Sequence, residues 1–225
     1  MDFPRLSILP VLLLLLITPL SSSLSLSDTT NIVTKESLDR ICSEPTIPSH
    51  FCIIWLTNDP ITFTVKFKGL LELVIQKTQL FGYKNIAMMK RLVRTTTDPT
   101  LKIPYGSCVT YYESAIKSME DAIRFASSNE YELTSQAAVK AFNSITTCEA
   151  DLAGRNTVPS DVTLRNMRFK RMCNIGRVFS DAYMFKNKRI QEDESLAGLR
   201  TSLTNPDKVE MNGGLIRTTI DVKVY

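Results

Sequence analysis

The residues of this chain whose types could do chemistry are five cysteines and a single histidine, His50. Thiol sulfurs form disulfide bonds or, together with imidazole, bind zinc. A zinc site is disfavoured because the sequence has no CxxC pair and only one histidine. Choosing four of five cysteines and pairing them leaves fifteen possible arrangements. We therefore expect structural disulfides and one buried thiol among Cys42, Cys52, Cys108, Cys148 and Cys173.

The remaining polar residues do not form a catalytic pattern. His50 gives no support to a Ser–His–Asp or Cys–His arrangement, and the glycines are scattered, so they do not form a phosphate-binding loop. Carboxylate pairs such as Glu120 and Asp121 lie on a helical face, where charge runs are usually solvated. Basic residues between Arg165 and Arg177 could form a binding patch, although a solvated helix face explains them more simply. We predict no enzymatic activity, no metal and no cofactor.

The N-terminus has the pattern of a secretory signal peptide. Arg5 precedes an apolar stretch from Leu6 to Leu20, and small residues follow at Ser21–Ser23. Two prolines interrupt the apolar run, which falls short of the ~20 residues that a spanning helix needs. We predict a signal peptide over residues 1–25, with an uncleaved anchor as the alternative. The mature protein is then secreted, with no membrane attachment after cleavage.

Charge constrains the class of partner. The chain has 27 Lys and Arg against 23 Asp and Glu, a net charge of +4. This is far from the dense basic stripe of a nucleic-acid-binding protein, so we predict no nucleic-acid partner. A weak attraction to acidic matrix polymers is compatible with the charge but is not established by it.

Helical periodicity dominates the mature chain. From Cys108 to Ala126 the apolar residues recur in steps of three and four, which places them on one face of a helix. Similar stripes predict helices from about Ile61 to the threonines before Asp98, from about Thr134 to Leu152, and from Ser160 to about Phe185. Pro104 places residues 100–106 in a connection, and the last helix is expected to bury Leu164. Four helices joined by short loops predict an all-α, up-and-down four-helix bundle.

Two short helices are predicted before the bundle, at residues 35–41 and 53–56, with a proline-rich turn between them. A local bridge between Cys42 and Cys52 would close this hairpin. Antiparallel neighbours in the bundle would bring Cys108 near Cys148, leaving Cys173 as the free thiol. We therefore predict a bundle domain over residues 26–185 and a poorly ordered tail over residues 186–225.

Three groups of residues follow the leader in an order that resembles a known family. They are Ile41-Cys42 to Cys52 with Trp55-Leu56 and Asp59-Pro60; Ser107-Cys108-Val109-Thr110-Tyr111-Tyr112 with Ala115; and Ala137 to Ala141 with Thr146-Thr147-Cys148-Glu149. Together they span about Leu38 to Phe185 and resemble the plant invertase and pectin methylesterase inhibitor family.

The resemblance implies a four-helix bundle preceded by a helical hairpin, with Cys42–Cys52 and Cys108–Cys148 paired. It also implies an extracellular cell-wall (apoplast) protein that blocks a carbohydrate-active enzyme by covering its active-site cleft. Invertase inhibitors of this family carry a Pro-Lys-aromatic motif between the second and third bundle helices. This chain has Asn129-Glu130-Tyr131 there, so pectin methylesterase is the preferred target over acid invertase.

The expected mechanism is stoichiometric binding by a protein that is monomeric when free, through faces of the second to fourth bundle helices. The candidate contact residues are Lys117, Glu120, Arg124, Tyr131, Lys140 and Asn143. Tyr131 is equally well explained as a buried loop anchor. Three alternatives stay open: an invertase inhibitor, a divergent bundle without inhibitory activity, and a small-ligand carrier. The carrier would need a large apolar void, which the alanine-rich stripes disfavour.

Overall fold

The computed structural model describes residues 32–204, which fold into a helical hairpin followed by four longer helices. The helices are α1 Lys35–Cys42, α2 Ser49–Thr57, α3 Phe67–Thr95, α4 Pro99–Ser127, α5 Tyr131–Leu152 and α6 Ser160–Thr204. In the bundle, α3 packs against α4 and α6, and α5 packs against α4 and α6. The predicted all-α bundle with its preceding hairpin is confirmed. The predicted signal peptide and residues 205–225 lie outside the described residues.

The core forms because the apolar stripe of each bundle helix faces its neighbours. On α4 the stripe includes Cys108, Tyr112, Ala115 and Met119, each at most 1% exposed. Burying a large apolar side chain of this kind contributes about 1.5–3 kcal/mol before entropy is counted. On α5 the stripe includes small residues such as Ala141, which is fully buried. No helix among residues 32–204 is both long enough and apolar enough to cross a membrane.

Polar contacts hold the hairpin to the bundle, whereas the Cys42–Cys52 disulfide joins the two helices of the hairpin to each other. Arg177 of α6 donates a hydrogen bond from Nη2 to Oγ1 of Thr46 in the hairpin turn, at 3.1 Å. The same guanidinium pairs through Nη1 with Asp181, at 2.9 Å. The turn between α1 and α2 is therefore fixed against the last bundle helix.

The structure corrects the predicted start of α4, which lies at Pro99 and not near Ser107. Asp98 caps this helix, because its Oδ1 atom accepts the backbone N–H of Thr100 at 2.9 Å. Proline is also favoured at the first helical position, where no N–H donor is needed. Pro104 lies inside the helix and has no N–H to donate to the Thr100 carbonyl. Arg155, in the loop after α5, donates to that carbonyl instead. Residues 100–106 are therefore helix, where the sequence predicted a connection.

Two further boundaries differ from the prediction by more than four residues. α3 begins at Phe67 and not near Ile61, because an Asp59-capped turn precedes it: Asp59 Oδ1 accepts the N–H of Ile61 at 2.9 Å. The prediction that the last helix ends near Phe185 is also wrong, since α6 continues to Thr204. Residues 186–204 contain no proline and many strong helix formers, so local propensity favours continuation. That part of the predicted poorly ordered tail is helical.

Gly82 marks the closest approach of three helices. A Cβ atom built on this residue of α3 would lie 3.0 Å from Ile116 Cγ1 on α4 and 3.0 Å from Phe169 Cε2 on α6. That separation is tighter than ordinary van der Waals contact. A side chain at this position would force Ile116 or Phe169 to shift.

Candidate functional site

Two disulfide bonds shape the surfaces that the bundle presents. Cys42–Cys52 closes the hairpin, with a Cα–Cα distance of 5.7 Å. Cys108–Cys148 joins α4 to α5, with a Cα–Cα distance of 4.8 Å. Cys173 is a free thiol buried in α6, and its burial raises its pKa. The second disulfide fixes the spacing of α4 and α5, the two helices that carry all six candidate contact residues.

A buried polar network joins three bundle helices beside that disulfide. Tyr112 of α4 donates from its hydroxyl to Asn166 Oδ1 on α6 at 2.6 Å and accepts from Asn85 Nδ2 on α3 at 3.1 Å. Asn166 in turn directs its Nδ2 atom toward Cys148 Sγ, at 3.5 Å. Burial raises the pKa of Tyr112, so its hydroxyl stays protonated and continues to donate. The network fixes the helices beneath the candidate surface.

An open groove runs between α4 and α5 on that surface, with a volume of about 470 Å³. Two of the predicted contact residues, Lys140 and Asn143, line it. Ser144 Oγ of α5 lies 3.4 Å from Ser114 Oγ of α4, across the groove. The full lining is Tyr111, Ser114, Gln136, Val139, Lys140, Asn143, Ser144 and Thr147. Most of the lining residues carry a polar group and the groove is open to solvent, which suits a protein contact better than an enclosed ligand.

The three predicted contact residues of α4 lie on a different side of that helix from the α4–α5 groove. Glu120 faces α3, because its Oε1 atom accepts the Tyr83 hydroxyl at 2.8 Å. This contact raises the pKa of Tyr83. Arg124 is exposed and pairs with Asp121 at 2.6 Å, and Lys117 is exposed. The predicted residues therefore occupy two adjoining surfaces, and only Lys140 and Asn143 share the groove.

Tyr131, the sixth predicted residue, is buried in the free protein. Its ring stacks on Tyr183 of α6 with centroids 4.8 Å apart, and only 7% of the residue is exposed. Its hydroxyl donates to Asn129 Oδ1 at 3.0 Å. The same Asn129 oxygen accepts a hydrogen bond from Nζ of Lys68, on α3, at 2.9 Å. This geometry corresponds to the loop-anchor interpretation of Tyr131, and it leaves the ring unavailable for a partner.

The loop between α4 and α5 has an unusual backbone at Asn129. Asn129 has a φ of 62°, in the left-handed region that asparagine tolerates better than most residues. It ends α4 and leads directly into α5. The side-chain bonds from Lys68 and Tyr131 hold it in that conformation.

The basic residues of α6 do not form one patch. Lys170 pairs with Glu149 of α5, Arg177 pairs with Asp181, and the guanidinium of Arg171 lies 5.7 Å from the Phe51 ring centroid. Arg165 instead borders a second groove, between α6 and α3, which the sequence reasoning missed. The signal was present: from Lys77 to Arg94, α3 has five basic residues and no acidic one. Within residues 32–204 no three His, Cys, Asp or Glu side chains are grouped as metal ligands.

Comparison with known proteins places this architecture in a family. The family model described as plant invertase/pectin methylesterase inhibitor matches residues 36–177. A pectinesterase inhibitor from Actinidia deliciosa is 28% identical over 171 residues, covering 76% of this chain and 89% of that protein. A putative invertase inhibitor from Platanus acerifolia is 26% identical over 131 residues, covering 58% of this chain and 73% of that protein.

A solved structure shows the same fold. The crystal structure of a mutant form of a pectin methylesterase inhibitor from Arabidopsis superposes with a TM-score of 0.59 at 25% identity. The alignment covers 64% of this chain and 95% of that one. The family match spans most of the described residues, from α1 into α6. This chain belongs to the plant invertase/pectin methylesterase inhibitor family.

Proposed function

We propose that this chain is a secreted inhibitor of pectin methylesterase that acts in the cell wall by stoichiometric binding over the enzyme's active-site cleft. The observation that carries the proposal is the similarity to the Actinidia deliciosa pectinesterase inhibitor, which extends over a longer stretch than the similarity to the Platanus acerifolia putative invertase inhibitor. No residue of the inhibitor performs chemistry in this mechanism.

The loop between α4 and α5 supports pectin methylesterase over invertase as the target. Proline fixes φ near about −65°, whereas Asn129 has a φ of 62°. The Pro-Lys-aromatic motif of invertase inhibitors could not occupy these positions without changing the backbone. The one aromatic residue that this chain retains there, Tyr131, is buried against Tyr183.

The α4–α5 groove is the proposed centre of the interface, with Lys140 and Asn143 as contacts, and Lys117 and Arg124 would extend the interface onto the adjoining surface of α4. A standard protein–protein interface buries about 800 Å² per partner, which two exposed helical faces can supply. The disulfide between α4 and α5 and the Tyr112 network hold these faces in place before binding. Pre-ordering of this kind reduces the entropy lost on association.

We also propose the domain boundaries that this function needs: a leader over residues 1–25 that is removed, and an inhibitory domain over residues 26–185. Residues 186–204 extend the last helix beyond that domain.

The test is a titration of purified protein, residues 26–225, against a panel of pectin methylesterases and acid invertases at several pH values. We expect pectin demethylation to fall linearly to an end point of one inhibitor per enzyme, and a reduced and alkylated sample to be inactive. Loss of invertase activity alone would transfer the assignment to the invertase inhibitors. No effect on either enzyme, from protein shown to be helical by circular dichroism, would refute inhibition and favour a divergent bundle.

A further inference from the structure

A second groove, on the opposite side of the bundle from the α4–α5 groove, is lined by cations. It lies between α3 and α6, has a volume of about 460 Å³, and is lined by Lys84, Ala87, Met88, Arg91 and Arg165. The charged side chains at its lining are all basic, and Ala87 and Met88 supply an apolar strip. The nearest acidic group that contacts this lining is Asp161, which pairs with Arg165 at 2.8 Å. We call this site the α3–α6 groove.

Arg165 is held in position at the edge of the groove. Its Nε atom donates to Asp161 Oδ2 at 2.8 Å, and its Nη1 atom contacts Asn85 Oδ1 at 3.4 Å. Asn85 is fully buried and belongs to the Tyr112 network. A guanidinium carries five N–H donors, so these two contacts leave others free for a ligand. The side chain is 34% exposed, so those donors are accessible.

Lys84 and Arg91 supply charge that the described residues do not neutralise. Both are exposed on α3, and neither has an ion-pair partner within residues 32–204. Their neighbours differ: Lys77 pairs with Asp59 at 2.6 Å, and Lys90 pairs with Glu113 at 3.1 Å. Seven residues separate Lys84 from Arg91, which is about 10 Å along a helix axis. The groove therefore presents spaced, uncompensated cations along its length.

We propose that the α3–α6 groove binds an acidic polysaccharide, a chain of uronate sugars whose carboxylates pair with Lys84, Arg91 and Arg165. The C–H faces of the sugars would lie against Ala87 and Met88. An extended polymer fits a groove with cations spaced along it, whereas a flat lipid surface would require a broad basic face. Lys84 and Arg91 can each pair with a separate carboxylate of such a chain.

This inference rests on the proposed function. Hydrolysis of pectin methyl esters exposes uronate carboxylates, so the target enzyme's own reaction would create the ligand. Because α3 and α6 lie across the bundle from the α4–α5 groove, the polymer and the enzyme could be bound together. The inhibitor would then be retained on stretches of polymer that the enzyme has already processed.

The experiment measures binding of purified residues 26–225 to oligogalacturonate of defined length, with the fully methyl-esterified oligomer as the comparison ligand. We expect calorimetric binding to the acid and none to the ester. The double variant Lys84→Gln/Arg91→Gln should weaken binding roughly tenfold, which is about the effect of losing two exposed ion pairs. The matched control is Lys35→Gln/Lys66→Gln, which removes the same charge from two exposed lysines that line neither groove and should leave the affinity and the inhibition unchanged. Arg165 is left intact because it contacts the buried network.

Three results would overturn the proposal. The two double variants could weaken oligogalacturonate binding equally, which would indicate that net charge alone is responsible. The protein could also bind the methyl-esterified oligomer, or vesicles containing anionic lipid, as tightly as it binds oligogalacturonate. Inhibition of pectin methylesterase is assayed on the same samples. Retained inhibition without oligogalacturonate binding sinks this inference and leaves the proposed function standing. Binding of oligogalacturonate without inhibition would refute the proposed function and leave the groove assignment in place.

Discussion

The Nη1 atom of Arg155 lies 2.9 Å from the backbone carbonyl oxygen of Thr100. This oxygen is the acceptor that would bond the N–H of residue 104 in an uninterrupted helix, and Pro104 has no N–H to donate. Arg155 also donates from Nε to the carbonyl of Asp151 at 3.1 Å, so the guanidinium is held from both sides. The loop after α5 therefore completes the first turns of α4.

We predict that Arg155→Met lowers the free energy of unfolding by about 1 kcal/mol, the net contribution of one hydrogen bond. The loss should shrink when Pro104→Ala restores the helical donor to Thr100. Urea unfolding of the two single variants and the double variant measures this coupling. Arg168→Met, an exposed arginine on α6, is the control and should have little effect. An equal loss in both backgrounds would show that Arg155 does not act through the Thr100 carbonyl.

The Tyr112 hydroxyl gives a larger predicted effect because it is buried. Tyr112→Phe leaves Asn166 without the donor at 2.6 Å and Asn85 without its acceptor at 3.1 Å. Unpaired buried polar groups cost about 1–3 kcal/mol, and we expect the unfolding free energy to fall by that amount. Tyr111→Phe, on the next residue of α4, should change it far less because Tyr111 is half-exposed in the α4–α5 groove. If Tyr112→Phe lost no more unfolding free energy than Tyr111→Phe, the network would not stabilise the fold.

Tyr183 is predicted to behave in the opposite way. Its hydroxyl is buried and has no hydrogen-bond partner among the described residues, although its ring stacks on Tyr131. Removing an unsatisfied buried hydroxyl removes a desolvation penalty. Tyr183→Phe should therefore leave the thermal midpoint unchanged or raise it. A clear drop, measured by differential scanning calorimetry, would contradict this prediction and would point to a partner for the hydroxyl in solution.

Stability should decline in mild alkali because of Cys173. Burial raises the pKa of this thiol above its ordinary value of 9.0. Above that pH the thiol ionises in the unfolded chain and stays protonated in the folded one, so the unfolded state is favoured. The free energy of unfolding should fall by up to about 1.4 kcal/mol per pH unit from this group.

Cys173→Ala tests this dependence because it removes the titrating group. Urea unfolding between about pH 8.5 and 10 should give a shallower decline for the variant than for the parent protein. The comparison uses the slope of unfolding free energy against pH and not the free energy itself, since the substitution also changes core packing. Identical slopes would exclude Cys173 as the cause.

The α4–α5 groove is tested by a bulky substitution. Val139 lies in the groove and is 38% exposed, so Val139→Arg should fold normally and obstruct a partner. We expect inhibition of pectin methylesterase to weaken roughly tenfold or more, as for a substitution at the centre of an interface. Leu80→Arg on α3, at a site 58% exposed, is the matched control and should inhibit like the parent protein. Full inhibition by the Val139→Arg variant would move the interface elsewhere.

The helices were predictable because their stripes are read directly from residue spacing. The buried network was less visible, although its signal is present in hindsight. Asn85 falls between Gly82 and Met89 on the α3 stripe, and Asn166 falls between Val162 and Phe169 on the α6 stripe. A polar residue on a buried stripe indicates a partner, but which residue it meets depends on how the helices cross.

The wrong prediction at Pro104 and the scattered contact residues have one physical origin, which is contact between separate helices and loops. The sequence predicts a connection at Pro104 because local rules contain no knowledge of Arg155, 51 positions further along the sequence. The candidate contact residues were chosen for exposure on a single helix. Grooves form between helices, so residue spacing could not show that Lys140 and Asn143 share one while Glu120 contacts Tyr83 of α3.

Gly82 has a consequence for sequence variation within the family. A methyl group on its Cα would lie only 3.0 Å from side-chain carbons of Ile116 and Phe169. A larger residue at this position would overpack the core unless one of the other two became smaller. Side-chain volumes at these three positions should therefore vary in a compensating way among homologues. A homologue with alanine at the first position should carry a smaller residue at the second or third.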